Sequence, residues 1–133
     1  MTSAGPRVRM VAGAVFRTGA AGADELLVID RPGAGPRLPD GPILDGEDAD
    51  DAAVRVLREQ TGVDAEVRLL IVTVDEVQEG QQRRRSIVIL DADEGGPGEW
   101  EHEGARCRWV PYADAELDEA HQPWLDLVRV DLA

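Results

Sequence analysis

Apolar residues recur in this chain with two different periods. Val8 to Arg17 and Glu25 to Arg31 are rich in Val, Ile and Leu, as strands are, and the Gly/Ala stretch over 18–24 between them predicts a hairpin. Pro32 to Pro36 reads P-G-A-G-P; this density of Pro and Gly defeats ladder and helix alike and predicts a loop. Over 49–61 the spacing turns helical. Ala53, Leu57 and Thr61 follow one another at four-residue steps with Val54 beside them, which marks a core-facing stripe. Asp48 supplies an N-cap, Asp50 and Asp51 suit the positive end of the helix dipole, and Gly62 suits a left-handed terminator. Further on, Ala65 to Val77 and Arg83 to Leu90 predict two strands joined by the polar Gln78-Glu-Gly-Gln-Gln connection, and Asp91 to Glu99 an acidic loop. Ala105 to Val110 alternates, with Ala105, Cys107 and Trp109 on one face and Arg106 and Arg108 on the other, the pattern of a half-buried strand. Pro123 fits the first turn of a last helix that buries Trp124, Leu127 and Val128. Neither an internal repeat nor a long low-complexity tract interrupts these elements.

Bulk properties narrow the partners more than the fold. A chain of 133 residues is expected to form one domain over 1–133, with a loose tail at 1–6. The balance of 14 basic against 27 acidic residues, net −13, repels nucleic-acid phosphates and anionic membranes, so neither polymeric nucleic acid nor a membrane is expected as partner. All basic residues are Arg, a skew from which no function follows. The single cysteine, Cys107, excludes an intramolecular disulfide framework, fits a cytoplasmic location and reads as a buried small hydrophobe. Arg7 and Arg9 before the apolar run Met10 to Phe16, with Gly19-Ala-Ala-Gly-Ala after it, mimic a secretory signal. That run is closed after seven residues by Arg17, and Val11, Ala14 and Phe16 serve equally as a first strand. With no apolar run near 18 residues, no transmembrane helix is expected.

The candidate chemistry lies in Gly41 to Val63, G-P-I-L-D-G-E-D-A-D-D-A-A-V-R-V-L-R-E-Q-T-G-V. It resembles the Nudix box, G-x5-E-x7-R-E-U-x-E-E-x-G-U with U aliphatic, at Gly41, Glu47, Arg55, Leu57, Glu59, Gly62 and Val63, and departs from it at Val56 and Gln60. Leu38-Pro39 before the box, Ala52-Ala53 inside it and Glu101-His102-Glu103 through Arg108-Trp109-Val110-Pro111 extend the resemblance over about residues 8–130. The resemblance implies the Nudix fold, an α/β/α sandwich around a mixed β-sheet. It implies hydrolysis of a small diphosphate metabolite or nucleotide, with Mg²⁺ or Mn²⁺ screening the phosphate oxygens and holding the attacking water. It places metal ligands at Glu59, Gln60 and the main-chain carbonyl of Asp40, and catalytic roles on Glu59, Glu47 and Arg55. A homodimer is compatible with it.

At 100° per residue, positions 56, 59 and 60 share one arc of the helix. Val56 cannot hold a cation and Gln60 offers a neutral amide. Two readings follow. One is a Mg²⁺-dependent diphosphate hydrolase with reduced activity, or one that borrows carboxylates from Asp51, Asp75, Asp93, Glu94, Glu99 or Glu101. The other is a catalytically silent Nudix domain that binds a nucleotide or another protein. The bland readings make Glu59 a solvated helix carboxylate, Glu47–Arg55 a structural ion pair and Val56 a core contact. Arg31 and Arg37, flanking the Pro/Gly loop, are substrate-binding candidates or solvated side chains. Arg83-Arg84-Arg85 receive phosphate or coat a strand edge. Trp100 stacks on a base, whereas Trp109 and Trp124 belong to the core. His102 and His121 lack zinc-site spacing with any second His or Cys.

Overall fold

The computed structural model describes residues 8–78 and 80–132. Seven strands form one sheet: β1 (Val8–Thr18), β2 (Asp24–Asp30), β3 (Asp40–Pro42), β4 (Ala65–Gln78), β5 (Gln81–Ala92), β6 (Glu99–His102) and β7 (Ala105–Pro111). Helix α1 (Ala49–Thr61) follows β3, and α2 (Gln122–Asp131) closes the chain after a short 3₁₀ turn at Tyr112–Asp114. The strand order is β4-β5-β1-β2-β7-β6, with β3 also paired to β1. The β1–β5 pairing is parallel and the others antiparallel, so the sheet is mixed, as expected. No helix among the described residues is long and apolar enough to cross a membrane.

The sheet buries both faces because its central strands carry apolar residues at successive positions. Val11, Val15, Leu27, Ile29, Val88 and Leu90 pack with Ala53, Val56 and Leu57 of α1. Ala12, Phe16, Leu26, Val28, Ile87 and Ile89 pack with Trp124, Leu125 and Val128 of α2. The α/β/α sandwich follows directly from this double alternation. In α2 the buried residue is Leu125, whereas Leu127 is 38% exposed. The helix is turned from the expected orientation because its apolar positions 124, 125 and 128 make the tighter i, i+1, i+4 stripe.

α1 matches its expected bounds. The Asp48 carboxylate accepts from the Asp51 N–H at 2.8 Å, and Gly62 ends the helix at φ 77° with its N–H on the Arg58 carbonyl. The next three carbonyls, which a free helix end leaves unpaired, each meet a different sheet residue. His102 Nε2 donates to Glu59 at 3.1 Å, Cys107 Sγ lies 3.9 Å from the Gln60 carbonyl, and Trp100 Nε1 donates to Thr61 at 2.9 Å. Those partners come from β6 and β7. The four-residue β6 is an element the expected acidic loop concealed, although its alternation of Glu99 and Glu101 outward with Trp100 and His102 inward carries a period of two. Likewise β4 and β5 continue through the polar connection, pairing as far as Gln78 with Gln81, because the backbone ladder is indifferent to side-chain polarity.

One departure from simple pairing positions the site. β1 pairs with β2 only over Phe16 to Thr18, and its earlier residues Met10 to Ala12 pair with β3 instead. β2 and β3 thus share one edge of β1 in succession and diverge, and the 31–39 loop spans the gap. A bridge between Ile29 and Arg37 and the Gly13 N–H on the Pro39 carbonyl at 2.9 Å hold that loop.

Candidate active site

β3 divides the site into two sides. Asp40 is paired with Ala12, so its side chain points to the α2 face, while its backbone faces α1. On the α1 side, Gln60 spans the Asp40 peptide groups: its Nε2 donates to the Asp40 carbonyl at 2.6 Å, and its Oε1 accepts from the Asp40 N–H at 3.3 Å. Val56 is 3% exposed and packed in the core. A Cβ on Gly41 would come within 3.0 Å of its Cγ2, so the glycine is what lets β3 approach the helix.

Next to this clamp lies a charged triad. Arg55 donates to Glu47 at 2.9 and 3.0 Å, to Glu59 at 2.5 Å and to the Pro42 carbonyl at 2.7 Å. Glu47 also accepts from the Leu44 N–H at 3.1 Å. The Arg55 hydrogen bond, then that from Leu44, hold the Glu47 carboxyl below its usual range, and Glu47 in turn raises Arg55. The triad ties the loop before α1 to the helix and leaves the Glu59 side chain 59% exposed.

On the α2 side, His121 is fully buried. Its Nδ1 accepts from the Leu38 N–H at 3.1 Å, and its Nε2 lies 3.0 Å from Arg37 Nη2 and 3.4 Å from Asp40 Oδ2. Arg37 Nε stands 3.5 Å from Asp118, an ion pair outside hydrogen-bond geometry, so that nitrogen stays without a hydrogen-bond partner. Burial pushes the Asp40 carboxyl up, but the hydrogen bond with His121, together with the charges of Arg37 and Arg85, outweighs it and holds the group below its ordinary value of 3.8. A depressed folded pKa stabilises the fold above the unfolded pKa, and the contribution is lost as pH falls through the folded value. Urea midpoints of the wild type and Asp40→Asn, followed from about pH 6 to about pH 2, are therefore expected to differ at neutrality and converge only at the acid end. A gap that persists unchanged into acid would mean that Asp40 acts by shape, not charge.

Between β2 and β3 the two sides meet in a cleft. One part, about 280 Å³, is lined by Arg31, Pro32, Gln60, His102, Glu103 and Gly104; a smaller part, about 70 Å³, adds Arg37, Leu38 and Asp40. The structure thus brings Arg31, Arg37, Asp40 and Gln60 together, with Glu47, Arg55 and Glu59 in the adjoining triad. Sequence reasoning did not place His102, Glu103 or His121 in the site. Glu103 stands at φ 48°, alone among the described non-glycine residues in the left-handed region, because with Gly104 at φ 80° it makes the two-residue turn between β6 and β7.

The sequence matches the family profile described as NUDIX domain over residues 7–128. The chain belongs to the Nudix family. No curated protein matches it. Among solved structures it is similar to the Nudix hydrolase RenU of M. smegmatis, with TM-score 0.74 and 24% identity over 92% of this chain and 84% of that one. The Ap4A hydrolase of C. elegans gives 0.72 and 19%, covering 96% and 100% of the two chains. The Nudix domain of Shewanella oneidensis NrtR, solved with ADP ribose, gives 0.70 and 18%, covering 96% and 90%. At such identities these likenesses establish the shared fold.

Nudix hydrolases use divalent metal ions, and the Nudix box of this chain is a poor fit to one. Mg²⁺ requires several hard oxygen donors in octahedral array. Here Val56 is apolar and buried, the Gln60 amide and the Asp40 carbonyl satisfy each other, and Glu59 is paired with Arg55. Among the described residues no three His, Cys, Asp or Glu side chains gather as a metal site needs. Of the other carboxylates considered, Asp75 is paired with Arg84, Glu99 with Arg106, and Asp93 and Glu94 line a groove elsewhere.

Proposed function

We propose that this Nudix domain binds a small diphosphate metabolite, such as a nucleoside diphosphate linked to a second group, in the cleft between β2 and β3, and that it hydrolyses this ligand slowly or not at all. The observation that carries the reading is the Gln60–Asp40 clamp, in which an amide N–H stands at the carbonyl oxygen where a cation would otherwise approach. Arg31 and Arg37 line the same cleft. Their charges offset locally the −13 of the chain, which otherwise repels a diphosphate. Guanidinium groups recognise such oxygens through paired N–H donors. That structurally similar domains include an Ap4A hydrolase and one solved with ADP ribose supports a nucleotide-like ligand. In this reading the protein works in the cytoplasm, in keeping with the buried, unpaired Cys107.

Residual hydrolysis has one candidate carboxylate, Glu59, exposed beside Arg55 and Glu47. Loss of positioned acid–base and metal-orienting groups lowers rates by about 10²- to 10⁴-fold. ADP ribose and Ap4A are expected to raise the melting temperature of the wild type, and Arg31→Ala to weaken each by about tenfold, near 1.4 kcal/mol. Turnover with Mg²⁺ or Mn²⁺ is expected to be marginal and absent in Glu59→Gln. Brisk metal-dependent turnover that survives Glu59→Gln would overturn the assignment, as would ligand stabilisation indifferent to Arg31.

A further inference from the structure

A groove of about 500 Å³ lies apart from this cleft. It runs between the end of α1 and the 92–97 loop, with Trp100 and Trp109 among its lining residues and Asp64, Asp93 and Glu94 along it. Three features of different origin add negative potential to this groove, against which the chain itself sets two cations, Arg17 on Trp109 and Arg58 on Asp64. The C-terminal end of α1, at Thr61 and Gly62, is the negative pole of the helix dipole. The three carboxylates are exposed, and of these only Asp64 has a described cationic partner, Arg58. The indole faces are the negative regions of their ring quadrupoles. The chain itself shows which chemistry suits such a surface: the Arg17 guanidinium lies 4.7 Å from the Trp109 ring centroid and donates to the Gly95 carbonyl at 2.9 Å.

We propose that this groove is a second binding site, selective for a small organic cation of the alkylammonium class. A diphosphate ligand is excluded from it by the same charges. The preference arises from an aromatic wall that desolvates an alkylated ammonium at little cost, a strongly hydrated metal ion being far harder to strip, and from carboxylates that make up for the lost water. The proposal is independent of the diphosphate cleft, since the two share no lining residue and only approach each other at the end of α1.

Choline and its uncharged carbon isostere, 3,3-dimethylbutan-1-ol, separate cation recognition from simple apolar filling. In ¹⁵N-labelled full-length protein the three indole N–H resonances report separately, because Trp124 lies on the opposite face of the sheet. Choline is expected to shift Trp100 and Trp109 saturably and leave Trp124 in place, with the isostere weaker by about tenfold. The exposed-site double variant Asp93→Asn/Glu94→Gln is expected to lower choline affinity by about tenfold, while Arg31→Ala leaves it unchanged. Equal binding of the isostere, shifts that include Trp124, or no saturation by choline would each overturn the proposal. Loss of the diphosphate reading would leave these outcomes untouched.

Discussion

His121→Ala is expected to lower folding stability by about 3 kcal/mol, roughly a 10 °C fall in melting temperature for a chain of this size. Two losses add. Truncation leaves the buried Leu38 N–H without its acceptor at 3.1 Å, and an unsatisfied buried donor costs about 1–3 kcal/mol. It also empties a fully buried volume at the head of α2, which adds a cavity cost of similar size. Arg37 and Asp40 lose their shared neighbour at the same time, so Asp40 is expected to titrate closer to its ordinary value. Thermal melts of His121→Ala and of His121→Asn, which keeps a side-chain acceptor, give the check: the asparagine variant should lie between alanine and wild type. If both fall equally, the hydrogen bond contributes nothing and the effect is volume alone.

The second large effect concerns metal. In Gln60→Glu the donor that holds the Asp40 carbonyl at 2.6 Å becomes an anionic oxygen facing another oxygen. In the presence of a chelator this variant is expected to lose about 2 kcal/mol. Mg²⁺ or Mn²⁺ should return part of it, because a cation now has the introduced carboxylate, the Asp40 carbonyl and the neighbouring Glu59 to bind, and whatever binds the folded state alone stabilises it. The wild type, whose carbonyl is already satisfied, should melt at the same temperature with and without metal. Equal metal stabilisation of wild type and variant would show that the clamp opens readily, and the binding-only reading would lose its main support. Val56→Glu is not an equivalent restoration, since the residue is 3% exposed in the core beneath α1 and a carboxylate there has no solvated exit.

What the sequence made legible was whatever depended on local patterns. The span of α1, its Asp48 and Gly62 caps and the β1–β2 hairpin are all short-range consequences of residue type, and the structure returns them with little change. β3 was not legible, for it is three residues long and exists because Met10 to Ala12 offer it an edge. β6 was legible in principle through its alternation but too short to stand out beside an acidic loop. Within the site, the box gave Glu47, Arg55 and Glu59 as a group, and the structure brings them together as one hydrogen-bonded triad. The meeting of Asp40 with His121, 81 positions later in the chain, depends on how α2 packs on the far face of the sheet, which no local pattern encodes. Nor does the identity of residue 60 say that its amide turns back onto the main chain instead of toward solvent.

The end of α1 carries a consequence for how this molecule opens. Its last carbonyls are held by Gly62 and by side chains from β6 and β7, so unwinding that turn means parting it from the edge hairpin as well. Helix end and hairpin are therefore expected to open together, with matched amide-exchange protection as the check. The last turn of the box helix is thus anchored by three side chains that lie outside the box itself.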